Sequence, residues 1–168
     1  TEESLRYWLN ELKIIRSLME EITGESVTDD KLSEQIKLYN RCREVTQELL
    51  ELNTGEYPLL YGREIDSITG ASGFNCDIPS RIRDIKQAIS IIKNRENNAF
   101  HIEAVKGKPR ILITGCPTTN KKLLDIIEDS GGIVVAMENC GGIKTIGLRV
   151  DENSVPLEAL AHRYLSIP

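Results

Sequence analysis

Apolar residues open the chain at three- and four-residue steps. Leu5, Trp8, Leu9, Leu12, Ile15, Leu18, Met19 and Ile22 fall on one face, the period of an amphipathic helix. Thr23-Gly24 supplies its stop. A second helix begins after Thr28, whose hydroxyl can cap a first turn holding Asp29 and Asp30. Leu32, Ile36, Tyr39, Cys42, Val45 and Leu49 keep the same period through it. The short polar connection predicts a long helical hairpin over residues 1–56, with Cys42 on its inner face as a structural thiol.

Residues 57–107 read as a helical linker region. Pro58 ends the hairpin, Tyr61 to Thr69 forms a short helix, and Gly70-Ala71-Ser72-Gly73 forms a loop. Asp77-Ile78-Pro79-Ser80 starts a helix striped by Ile82, Ile85, Ala88, Ile89 and Ile92, which dissolves in Asn94-Arg95-Glu96-Asn97-Asn98. The pattern then changes. Ile111-Leu112-Ile113-Thr114-Gly115 and Ile133-Val134-Val135-Ala136-Met137 are short continuous apolar runs of the kind buried in parallel sheets. Between them Asn120 to Ser130 reads as a helix with Leu123, Leu124, Ile126 and Ile127 inside. This is a β–α–β unit, right-handed by the general rule. Ser154-Val155-Pro156 caps a last helix, Leu157 to Leu165. Two strands do not cover their own edges and faces. The expectation is therefore an incomplete α/β parallel-sheet lobe over residues 108–168, truncated after Pro168.

Composition narrows the function. With 40% hydrophobic and 28% charged residues and a net charge of −5, the 168 residues suit a globular domain and lack the basic clusters that nucleic acids or anionic membranes attract. No stretch approaches the roughly 20 apolar residues that span a bilayer, and the N-terminus has no signal-peptide pattern. The expected location is the cytoplasm, where thiols stay reduced.

The four cysteines, Cys42, Cys76, Cys116 and Cys140, form no CxxC pair, so zinc-ribbon and thioredoxin-type readings are unsupported. Ligands of open α/β sheets gather beyond the carboxyl ends of the strands. Each of the two loops leaving those ends carries a cysteine: Cys116 before Pro117, and Cys140 before Gly141 and Gly142. Glycines beside a thiol admit a bulky cofactor and offer it amides, although two cysteines near strand ends also arise as buried hydrophobes. Neither GxGxxG nor GxxxxGK[ST] occurs. Glu138 reads as a strand-end carboxylate capping a neighbouring loop, with a general base as the alternative. His101, in the linker, and His162, on the last helix, read as solvated surface residues, without the neighbours of a hydrolase triad. Cys76 has no assigned purpose.

Several segments carry a family resemblance. Ile111-Leu112-Ile113-Thr114-Gly115-Cys116-Pro117, Ile126-Ile127-Glu128-Asp129-Ser130-Gly131-Gly132, Val134-Val135-Ala136-Met137-Glu138-Asn139-Cys140-Gly141-Gly142-Ile143-Lys144 and the ending Pro156 to Pro168 resemble the C-terminal half of the 2-hydroxyacyl-CoA dehydratase, benzoyl-CoA reductase and double-cubane-cluster group. Ile22-Thr23-Gly24 and Leu38-Tyr39-Asn40-Arg41 resemble the helices that precede that half. The resemblance implies a flavodoxin-like (Rossmann-like) lobe, one of two that clasp an iron–sulfur cluster, either 4Fe-4S or double-cubane. It points to Cys140 as a cluster ligand, to Cys116 as a further candidate, and to Gly141 and Gly142 as loop backbone. Relatives supply more cysteines beyond Pro168, so the fragment alone is expected to lack a cluster and to be inert. The implied partners are an ATP-hydrolysing activator with its own cluster, a homologous subunit or second copy, and an acyl-CoA substrate. The Glu-Asn-Cys-Gly-Gly form favours the double-cubane reductases. A 2-hydroxyacyl-CoA dehydratase subunit and a non-catalytic α/β scaffold are the alternatives.

Overall fold

A computed structural model describes residues 1–73, 76–116, 121–139 and 143–167. The chain divides into two compact units, one of residues 1–41 with 148–168 and one of residues 42–147.

The first unit holds α1 (Glu2–Thr23), the first half of α2 (Asp29–Glu51) and α8 (Pro156–Leu165). Thr28 accepts the Lys31 amide at 3.2 Å, the cap expected from the sequence, and the Thr1 hydroxyl caps α1 likewise by accepting the Ser4 amide at 3.1 Å. α1 ends at Gly24, whose amide reaches Glu20 O at 2.9 Å. Its partner is α8, where the Trp8 and Tyr164 rings stack at 5.8 Å and 6°. The apolar stripe of α1 is not a core face. No α1 residue is buried, and Ile15, Leu18 and Ile22 stay 52%, 50% and 69% exposed. The core of this unit is Ile36, Val150 and Ala159 with Leu160 against them. Asn40, buried, pairs with the backbone of one residue by both ends of its amide. Its Nδ2 donates to Val150 O at 2.7 Å and its Oδ1 accepts Val150 N at 3.0 Å. Arg163, also buried, donates to Leu148 O at 3.0 Å.

The second unit contains the end of α2, α3 (Gly62–Gly73), α4 (Ile78–Lys93), α5 (Ala99–Val105), β1 (Arg110–Gly115), α6 (Lys122–Asp129), β2 (Ile133–Asn139) and α7 (Ile143–Ile146). β1 and β2 pair in parallel, making the expected α/β arrangement, a partial flavodoxin-like lobe. Ile111 faces Val134 and Leu112 faces Ala136, so Val135 is an extra residue on β2. Val45, Leu49, Leu60, Ile65, Ile85 and Leu124 form the core under the sheet.

Three polar devices knit this unit. Asn53 repeats the amide pairing, accepting Leu60 N at 2.8 Å and donating to Leu60 O at 2.9 Å. Arg95 grips Glu64 with two nitrogens at 2.9 and 2.8 Å. Buried Glu128 on α6 accepts the Gly62 amide at 2.5 Å, and Arg63 Nε lies 3.2 Å from its other oxygen. The approach at Gly62 is close: a Cβ there would sit 2.5 Å from Val134 Cβ.

Two expectations need correction. α3 runs through Gly70 to Gly73 instead of giving way to a loop, since a glycine weakens a helix interior by only about 1 kcal/mol and does not break it. The segment after Asn98, inside the expected helical region, forms α5, whose first turn the Asn98 side chain caps by accepting the Phe100 and His101 amides at 3.0 and 3.1 Å. On α6 only Leu124 and Glu128 are buried, while Leu123 and Ile126 are 45% and 63% exposed, because one helix face cannot hold four neighbouring apolar positions. No helix among the described residues is long and apolar enough to cross a membrane.

Candidate functional site at the carboxyl ends of the strands

Parallel pairing brings the last residues of both strands to one rim, with Thr114 opposite Glu138 and Gly115 opposite Asn139. Cys116 follows β1 directly and is a free, exposed thiol. Gly115 before it has φ 120°, a conformation that favours glycine, and open space surrounds the position of its absent Cβ. Cys140, Gly141 and Gly142 lie outside the described residues. The described chain reaches Asn139 on one side of them and Ile143 on the other.

The rim is polar and ordered by Glu138. Thr114 Oγ1 donates to Glu138 Oε2 at 2.5 Å, and Lys144 Nζ lies 3.4 Å from Glu138 Oε1. The Thr114 hydrogen bond holds the Glu138 carboxyl below the ordinary carboxylate range against an opposing desolvation, with the Lys144 charge and hydrogen bond adding to it. Glu138 therefore does more than cap a loop. It links β1, β2 and α7. Neither Thr114 nor Lys144 stands out in the sequence as a site residue, and the signal for Thr114 is the register that sets it opposite Glu138.

The rim fits a thiolate-held cluster at the level of one ligand. Cys116 offers a sulfur toward open space, but no group of three or more His, Cys, Asp or Glu side chains that could hold a metal forms among the described residues. Cys42 is buried and Cys76 exposed. His162 is exposed as expected. His101 is not a free surface residue, since its Nε2 lies 2.9 Å from Pro58 O. A separate cleft of 310 Å³ is lined by Leu50, Val135, Ala136, Ile143 and Ile146. At its edge Arg110 is spent on backbone, donating to Gly55 O and Asn53 O, both at 2.6 Å.

Comparison with known proteins sets this rim in a family. A family model described as 2-hydroxyglutaryl-CoA dehydratase, D-component, matches residues 1–168. A chain of Escherichia coli (strain K12) named as the dehydratase subunit YjiM is 30% identical over 168 residues, covering 99% of this chain and 43% of that one. The (R)-phenyllactyl-CoA dehydratase beta subunit of Clostridium sporogenes is 23% identical over 146 residues, covering 87% of this chain and 37% of that one. The chain thus spans less than half the length of these curated relatives.

Proposed function

The chain belongs to the 2-hydroxyglutaryl-CoA dehydratase D-component family, and from that premise we propose that it is part of an iron–sulfur protein that receives low-potential electrons from an ATP-hydrolysing activator and uses them on a difficult substrate. The two relatives named as dehydratase subunits support a 2-hydroxyacyl-CoA dehydratase subunit working beside a homologous subunit. The Glu138-Asn139-Cys140-Gly141-Gly142 segment supports a second reading, a double-cubane-cluster reductase that pairs with its own copy. In both, residues 108–168 are the first part of a lobe, the helices of residues 1–56 precede it, and the protein works in the cytoplasm.

Cys140 is the proposed cluster ligand and Cys116 the further candidate, with the backbone of Gly141 and Gly142 free to approach the cluster. A bound cluster would supply one-electron chemistry at low potential. The observation that carries this reading is the exposed Cys116 thiol on the same strand-end rim from which the Cys140 segment departs. ATP belongs to the activator, which agrees with the lack of a phosphate-loop motif.

The test is anaerobic iron and acid-labile sulfide in the full-length protein beside Cys140→Ser. The variant is expected to lose much of both. A cluster that ignores the substitution removes the ligand role from Cys140. A protein with no cluster after reconstitution overturns the redox reading in favour of an α/β scaffold subunit.

A further inference from the structure

The face that α1 leaves uncovered has a regular sequence. Trp8, Glu11, Ile15, Leu18 and Ile22 follow one another at steps of three, four, three and four, the heptad spacing of a helix that packs along another helix. Ile14 broadens this seam on one side and Met19 on the other. Trp8 is engaged by Tyr164, but Ile14, Ile15, Leu18 and Ile22 are each at least half exposed. The core of the same unit is built from Ile36, Val150 and Ala159 and takes nothing from this seam. A contiguous apolar strip along a helix of 22 residues is the kind of surface that marks a protein–protein contact.

Glu11 is the one charged residue in that seam, and it has no hydrogen bond or ion pair among the described residues. Covering a carboxylate without a partner is costly, so whatever packs here must bring a cation to the Glu11 layer. A second α1 brings none. In parallel register Glu11 would face Glu11 of the copy, and in the antiparallel register that sets Ile15 against Leu18 it would face Ile22. A single polar layer in an apolar seam weakens the contact and selects the partner. Such selection matters where two similar chains compete for one surface, as a copy and a homologous subunit do.

We propose that this face of α1 docks a helix of the homologous subunit, one with apolar residues at heptad spacing and a Lys or Arg opposite Glu11. The inference rests on the reading of this chain as a dehydratase subunit that works beside a different chain, and it is independent of any cluster ligand.

The experiment uses the full-length protein co-expressed with its homologous subunit, with the photo-crosslinker p-benzoylphenylalanine in place of Leu18. The crosslink is expected on a helix of the other subunit, within a turn of a Lys or Arg. A crosslink within the same polypeptide, or to a second copy, overturns the proposal. Glu11→Lys is expected to weaken the complex at least about tenfold, and changing the facing Lys or Arg to Glu should restore it. Ile22→Ala is expected to weaken it about tenfold. The urea midpoint of the full-length protein alone should stay unchanged in both variants, since each replaces a surface residue. A lowered midpoint there means that α1 is covered by its own chain and overturns the docking, as does a complex of native strength in both variants. If the two chains assemble but the crosslink lands elsewhere on the partner, this surface falls and the subunit reading stands. If no second subunit assembles with the protein, the subunit reading falls and the proposal with it.

Discussion

In the unit of residues 42–147, Val45, Leu49, Leu60, Ile65, Ile85 and Leu124 share one core with the strands above it. In the unit of residues 1–41 and 148–168, Ile36, Val150 and Ala159 make up the buried cluster, and α1 buries nothing fully. Both units contain long amphipathic patterns, so apolar periodicity does not separate them. The difference lies in what the apolar face meets. The second unit sets its faces against a sheet, while α1 in the first rests on one short helix through a ring stack. Buried apolar area is the main source of folding free energy, so the two units should differ in local stability, the first opening more readily.

The sharpest way to break that comparison is to cut into the richer core. Leu49→Ala, at a fully buried position, should cost about 2–5 kcal/mol, read as a lower urea midpoint. An equal loss from Leu18→Ala on exposed α1 would erase the distinction between the units. Next in size is Asn40→Ala, which strips hydrogen bonds from both the N–H and the C=O of Val150. Its expected cost is about 1–3 kcal/mol. Amide exchange should quicken around residues 148–152 and stay unchanged in residues 42–147.

The smallest effect concerns acid. Burial disfavours the Glu64 carboxylate, but the Arg95 hydrogen bonds, the Tyr61 amide and the Arg95 charge outweigh it and hold its carboxyl below the ordinary glutamate value. A carboxyl lowered in the folded state stabilises the fold above its unfolded value, and that contribution fades as pH falls through the folded value. The pair is about a third exposed, so its share is small. Glu64→Gln should therefore lose a little melting temperature at neutral pH and close the gap to the native protein as the solution is acidified.

Much of this architecture was legible. The helix starts at Thr28 and Asp77 follow from capping chemistry, and the strands follow from their uninterrupted apolar runs. What stayed hidden has physical causes. α5 is only 7 residues long, too short to show a period, and its capping Asn98 sits in a run of polar residues that reads as a break. Glu128 carries the ordinary signature of a solvated helix residue, and it is buried where Gly62, Arg63 and Val134 close on its carboxylate. At the rim, Cys116 was found from its place after a strand. Thr114 and Lys144 were not, because their contact with Glu138 depends on strand register and on a helix of 4 residues.

The asparagine pairings bear on how such a sequence can drift. Asn40 and Asn53 recognise Val150 and Leu60 through the peptide N–H and C=O, groups that nearly every residue type shares. The requirement for an amide therefore falls on positions 40 and 53 alone, while positions 150 and 60 answer only to packing. Residues that touch so closely should ordinarily change together across homologues. Here they are free to change independently, and methods that infer contacts from correlated substitutions should miss two of the most specific contacts in the protein.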